Sequence, residues 1–173
     1  MQFPRTKVGG LSVSRMIIGT NWILGWSHQG PAKDKLITSL NDRKNIANIL
    51  EVFFKAGVDT IMGPLTQHPQ ANAAIKDAED KTGVKCIKVD TPMLNVKDTV
   101  RDKDETKRIL DQVAATGAQI CLPHHTSVEQ LLDKSTEEIR RLDEYTAMIR
   151  KRGMIPGLSA HMPEVVTYSD NHN

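Results

Sequence analysis

The chain lacks the features that would place it in a membrane or on a nucleic acid. No apolar run approaches the roughly 18 residues of a transmembrane helix, and the first residues carry no apolar stretch typical of a signal peptide. Lysine and arginine alternate with acidic residues for a net charge of +2, and no basic face stands out. We therefore expect neither a membrane partner nor a nucleic-acid partner.

Phosphate-binding loops and disulfide frameworks are also missing. No G-x-G-x-x-G follows the first predicted strand and no P-loop occurs, which argues against a doubly wound nucleotide-binding domain. The two cysteines, Cys86 and Cys121, fall in predicted interior strands, where a thiol is commonly a small apolar core residue. Together these absences predict a cytoplasmic protein.

What the chain does have is one sequence pattern that occurs four times: a predicted helix, then a glycine, then a short apolar run. The glycines are Gly57, Gly83, Gly117 and Gly153. A glycine just past a helix readily takes the left-handed conformation that ends it, and a strand that starts there completes half of a βαβ unit. With an earlier strand at residues 16–19, the pattern predicts five parallel strands in sequence order, covered by helices.

The remaining segments are predicted from their local signals. Residues 1–15 suggest a hairpin turning at Gly9-Gly10, residues 20–40 a long loop, and residues 167–173 a polar tail without a helix. Four helices are expected, starting at the N-cap Asn41, covering 70–81 and 102–116, and starting at a capping box between Ser135 and Glu138.

Polar side chains stand where the predicted strands end. In a parallel barrel these ends converge on one rim, so chemistry is expected there. The residues in question are Asn21, Trp22, Lys88, Asp90, His124, His125, Ser159 and His161.

This set leaves three interpretations open. Lys88 and His124 could polarise a carbonyl oxygen and shuttle a proton. Alternatively, Asp90, His124 and His161 could bind a divalent metal such as Zn or Mn, because imidazole and carboxylate ligands suit those ions. In the third interpretation each histidine only bonds to a neighbouring loop, and the chain is a non-catalytic, degenerate barrel.

Residues 7–20, KVGGLSVSRMIIGT, resemble the opening of the aldo-keto reductases, a hairpin L-G-x-x-G-L-x-V-S followed by a strand ending in L-G-T. Shorter similarities follow in the family's order at residues 53–58, 120–124 and 152–159. The resemblance implies a (β/α)8 barrel of which residues 1–173, as a single domain, form about the first five units. It also implies NADPH-dependent reduction of a small carbonyl or sugar-like substrate.

The resemblance also suggests roles for individual residues. His124 falls on the family's catalytic histidine, Lys88 on or next to its lysine, and Ser159 on a serine at the cofactor site. We assign Asn21, Trp22 and His125 to substrate binding.

Two catalytic positions depart from the family: Met62 stands at the aspartate and Gln67 at the tyrosine. Methionine carries no charge and glutamine has no titratable proton, so neither replaces the family residue. The open edges of a partial barrel further predict self-association.

Overall fold

The computed structural model describes residues 3–97 and 99–171 and shows an α/β protein. The strands in these ranges are β1 (Arg5–Val8), β2 (Leu11–Ser14), β3 (Ile17–Gly19), β4 (Thr60–Gly63), β5 (Ile87–Asp90), β6 (Ile120–Cys121), β7 (Leu132–Asp133), β8 (Glu138–Ile139) and β9 (Ile155–Pro156). The helices are α1 (Pro31–Leu40), α2 (Arg43–Lys55), α3 (Pro69–Thr82), α4 (Val100–Ala115), α5 (His125–Val128), α6 (Leu142–Arg150) and α7 (Pro163–Asn171).

Five strands form one parallel sheet in the order β3-β4-β5-β6-β9. Ile17 lies opposite Thr60 where β3 pairs with β4, and Ile120 lies opposite Ile155 where β6 pairs with β9. This arrangement confirms the prediction of five parallel strands in sequence order. Within the described residues, β3 and β9 stay at the two edges and the sheet does not close into a barrel.

The chain divides into two compact units, the first ending at Val89 and the second starting at Asp90. In the first unit, β1 and β2 form the predicted hairpin, with Arg5 opposite Ser14. Helix α2 buries Leu50 and Phe54, one helical turn apart, in the core of this unit. Its N-cap is Asp42, whose carboxylate accepts the N–H of Asn45, so the helix begins one residue later than expected.

The expectation of an uninterrupted loop over residues 20–40 is wrong, because α1 occupies its second half. Pro31 stands in the first turn of α1, where its fixed φ and missing N–H are tolerated. The loop that remains, residues 20–30, leaves β3 at its carboxyl end.

In the second unit, the expected helix from Ser135 is also wrong. The Asp133 carboxylate accepts the N–H and the hydroxyl of Ser135, at 3.0 and 2.6 Å, which forms a turn between β7 and β8. Ile139 on β8 is buried in the core of this unit, and α6 begins only at Leu142. The capping-box pattern is therefore overridden by a hairpin that buries Ile139.

The expected polar tail is a helix up to Asn171, α7, because Val165 packs into the core of the second unit. His172, which we assigned no role, and Asn173 lie outside the described residues. None of the described helices is both long and apolar enough to cross a membrane.

Both cysteines are free and buried, as predicted. Burial is the main cause that raises the pKa of each thiol to about 12. A nearby carboxylate acts in the same direction, Glu79 for Cys86 and Asp90 for Cys121. Neither thiol is therefore a nucleophile at neutral pH.

Candidate metal centre

The segment that leaves β6 turns directly into a short helix. His124 is the N-cap of α5, and its ring nitrogen Nδ1 lies 2.9 Å from Oγ1 and 3.4 Å from the backbone nitrogen of Thr126. The ring thus takes the place of the carboxylate or hydroxyl that usually caps a helix. Because Nδ1 faces Thr126, Nε2 is the nitrogen of His124 that remains for other partners.

His125 and Glu129 lie on one face of this helical segment. Residue His125 opens α5, and Glu129 opens the 3-10 turn that continues it, so the two stand four residues apart. Side chains at that spacing are neighbours on a helix surface. Nδ1 of His125 lies 3.4 Å from Oε2 of Glu129.

His161 joins this pair from the loop that follows β9. Its backbone N–H donates a hydrogen bond of 2.7 Å to Oε1 of Glu129. The His161 ring lies against the His125 ring with 3.8 Å between their centroids. The His124 ring also lies against the His125 ring, with 4.1 Å between their centroids. Residues distant in sequence are thereby brought together within the second unit.

The ligand atoms of His125, Glu129 and His161 all lie within 4.8 Å of one another. In a tetrahedral site with bonds of about 2.0–2.1 Å, neighbouring ligand atoms are about 3.4 Å apart. Shifts of about 1 Å, within the reach of rotamer adjustments, would therefore close the three side chains on one ion. His125 and Glu129 are half-buried and His161 is exposed, so solvent reaches the cluster.

The ionisation of Glu129 suits a cation. The hydrogen bond from the His161 backbone, aided by the His125 side chain, lowers the pKa of Glu129 below its ordinary value, so Glu129 is a carboxylate at neutral pH. Burial, with the adjacent His125 and His161 rings, lowers the pKa of His124 as well. His124 is consequently a neutral imidazole at neutral pH.

The observed set differs from the predicted metal ligands. We expected Asp90, His124 and His161, and only His161 belongs to the observed group. Asp90 is fully buried at the end of β5, and His124 instead faces Thr126. His125, expected to bind substrate, is a member of the observed group.

Glu129 is the residue that the sequence analysis missed. Its signal was the spacing H-x-x-x-E in HTSVE, which places both side chains on one helical face. The strand-end pattern could not reveal Glu129, because it lies one full turn beyond the strand-end segment.

Three other predicted residues, Asn21, Trp22 and Lys88, belong to the first unit. In the first unit, the amide nitrogen of Asn21 is 3.0 Å from Nε2 of His28, and Nζ of Lys33 lies 5.4 Å above the exposed Trp22 ring. Lys88 is half-buried on β5.

In the second unit, the backbone N–H of Ser159 donates to the carbonyl oxygen of Pro123 at 3.4 Å, which ties the loop after β9 to the end of β6.

Comparisons with known proteins yield no match, either to a protein-family model or to a curated protein sequence. The functional assignment therefore depends on the geometry of the site.

Proposed function

We propose that this chain is a metal-dependent enzyme, of the isomerase, lyase or hydrolase type, and that His125, Glu129 and His161 hold a divalent ion such as Zn or Mn. The observation that carries the proposal is the convergence of two imidazoles and one carboxylate within 4.8 Å. Two histidines with a glutamate are a ligand set typical of catalytic zinc and related ions. The substrate class that fits our sequence analysis is a small carbonyl or sugar-like compound.

The number of ligands supports a catalytic site over a structural one. Oε1 of Glu129 accepts the His161 N–H, and Oε2 faces Nδ1 of His125 at 3.4 Å, so Glu129 would bind an ion between these side chains through Oε2. Three protein ligands leave at least one coordination position open, whereas structural zinc sites are closed by four. The backbone bond to Glu129 also orients the ligand, as outer-shell hydrogen bonds do in metal sites.

The residues around the cluster define what the chain itself contributes. A bound divalent ion polarises a carbonyl oxygen or lowers the pKa of a coordinated water. Because Nδ1 of the neutral His124 ring accepts the Thr126 N–H, Nε2 carries the ring proton, and His124 would donate a hydrogen bond from Nε2–H to a substrate oxygen. The 4.1 Å contact with His125 keeps the His124 ring beside the metal ligands.

We further propose that the sheet is an arc of an aldo-keto-reductase-like (β/α)8 barrel in a cytoplasmic protein. The sequential strand order, the preceding β1–β2 hairpin and a polar cluster after the carboxyl ends of β6 and β9 support this proposal.

The β1–β2 hairpin, which matches the opening motif, also favours a second candidate function: NADPH-dependent reduction with Lys88, His124 and Ser159. Saturable quenching of Trp22 or Trp26 fluorescence by NADPH would be its signature.

Isothermal titration of the metal-free protein with ZnCl2 or MnCl2 tests the metal proposal. We expect one ion per chain, with affinity reduced at least tenfold in Glu129→Gln and His161→Ala. Glutamine keeps the shape of Glu129 and an acceptor for the His161 N–H, but it places an amide nitrogen at the Oε2 position, so this variant removes the charge and the ligating oxygen. Glu137→Gln and His28→Ala, which change an exposed carboxylate and an exposed imidazole elsewhere, should bind as the wild type does.

Catalysis is tested separately by proton NMR of dihydroxyacetone and acetyl esters in D2O. We expect metal-dependent exchange of carbon-bound protons or metal-dependent hydrolysis, lost in Glu129→Gln. Substoichiometric binding, or equal binding by Glu129→Gln, would refute the metal site. Stoichiometric metal without any turnover would refute the enzymatic part alone.

A further inference from the structure

A broad apolar groove lies beside the edge strand β3, entirely within the first unit. It has a volume of about 800 Å³ and is formed by β3, α1 and α2. The exposed large apolar side chains along it are Met16, Ile17, Trp22, Leu36, Leu40 and Ile49. This groove belongs neither to the metal centre nor to the reductase residues Lys88, His124 and Ser159.

The groove gathers an unusual share of the exposed apolar surface. Of the twelve large apolar side chains that are exposed among the described residues, six border it. Leu36 and Leu40, one helical turn apart on α1, are 53% and 57% exposed, and the Trp22 ring is 51% exposed. Monomeric proteins seldom leave a contiguous apolar patch of more than a few hundred Å² in water.

The size of this surface matches what a dimer needs. From the exposed fractions, the six side chains present roughly 600 Å² to solvent, close to the about 800 Å² that each partner buries in a standard-size interface. Polar residues at the margin, such as Asn41, would supply the remainder.

Few charges oppose burial of the groove. Lys33 is the one charged residue among the described residues that line it, and its ammonium group already lies over the Trp22 ring. An interface here would therefore desolvate little charge, and the desolvation of charged groups is one of the costs of covering a surface.

We propose that the occupant of this groove is a second copy of the same chain, packed across a twofold axis. Helix α1 forms one wall of this groove, and its Leu36 and Leu40 line the groove and are more than half exposed. In a twofold dimer the same patch faces itself, so the α1 wall of each copy can pack against the exposed apolar side chains of the other. The resulting interface would bury Trp22 and Ile17 along with both leucines.

Sedimentation velocity of the full chain between about 1 and 100 µM tests this proposal, a range that brackets micromolar dissociation constants. We expect a dimer for the wild type, and a dissociation constant raised at least tenfold for Leu36→Glu/Leu40→Glu. Both leucines are exposed, so these substitutions leave the core intact, and circular dichroism checks the fold. Leu36→Ser/Leu40→Ser serves as a milder variant with the same expected direction.

Val166→Glu is the matched control, because it changes an exposed apolar residue on another helix, α7. It should dimerise as the wild type does. A wild type that stays monomeric at about 100 µM overturns the proposal, as does a dimer unaffected by the α1 substitutions or broken by Val166→Glu. A monomer whose groove saturably binds decanoate would assign the groove to an amphiphilic ligand and equally overturn it.

Discussion

Gly63 ends β4 at a place where a side chain has no room. A β-carbon on Gly63 would overlap Oγ1 of Thr20 and come within 2.8 Å of its Cβ. Thr20 is itself buried, at 3% exposure, and begins the loop that leaves β3. Gly63→Ala must therefore separate the ends of two paired strands or displace the buried Thr20.

The size of the effect follows from two opposing contributions. Overpacking a well-packed site costs about 1–3 kcal/mol. Alanine recovers about 0.4–1 kcal/mol by restricting the unfolded chain. We expect Gly63→Ala to lower the free energy of unfolding by about 1–2 kcal/mol, which is about 3–6 °C in Tm for a chain of this length.

Urea unfolding followed by circular dichroism measures this change, and Gly157→Ala is the control. A β-carbon on Gly157 would meet Cδ2 of Leu122, the end of a half-buried side chain that can rotate away. Its unfolding free energy should stay within about 0.5 kcal/mol of the wild type. Thr20→Gly removes the Oγ1, Cγ2 and Cβ that the new β-carbon would meet, so Gly63→Ala should cost much less in that background than in the wild type. Equal stability of the two glycine variants, or an unchanged cost of Gly63→Ala in Thr20→Gly, would refute the steric argument.

Two further predictions concern the core and its thiols. Phe54→Ala removes a buried ring and should cost about 3–5 kcal/mol in urea unfolding, whereas Val52→Ala, on the exposed side of α2, should cost less than about 0.5 kcal/mol. Because the pKa of Cys86 and of Cys121 is raised to about 12, the folded state keeps both thiol protons at pH values where the unfolded chain loses them. Below the unfolded-state pKa of about 8.5, these thiols should leave the free energy of unfolding unchanged. Between about pH 8.5 and about pH 12, each thiol should lower the free energy of unfolding by up to about 1.4 kcal/mol per pH unit. The double variant Cys86→Ala/Cys121→Ala, unfolded in urea over the same pH series, should lack this slope.

The parallel sheet was predictable because the signal that ends each helix before a strand is carried by a single glycine. Gly57, Gly83, Gly117 and Gly153 all have positive φ, from 72° to 84°, so the property that ends each helix belongs to the glycine itself. The hairpin at Gly9-Gly10 was predictable for the same reason, since both residues have positive φ.

Where local signals competed with burial, prediction failed. The sequence at Ser135 and Glu138 matches a capping box, but the pairing of β7 with β8 buries Ile139, and α6 starts only at Leu142. The α7 helix shows the same limit, because it is held by the buried Val165 and by Tyr168, which packs against the same core.

The candidate site was predictable in part. The position of His161 after the last strand followed from the alternation of strands and helices. Its contact with Glu129, through a backbone N–H rather than a side chain, depends on the path of the loop after β9, which no local pattern determines. The pairing of His125 with Glu129 was present in their spacing of four residues.

The most direct test of the metal centre is an anomalous diffraction map of crystals grown with ZnCl2. We expect one strong peak at about 2.0–2.2 Å from a ring nitrogen of His125, a ring nitrogen of His161 and Oε2 of Glu129, with Oε1 still accepting the His161 N–H. Crystals of Glu129→Gln should lack the peak. A peak between Asp90 and His124, or no peak near His125 in fully loaded protein, would rule out this metal centre.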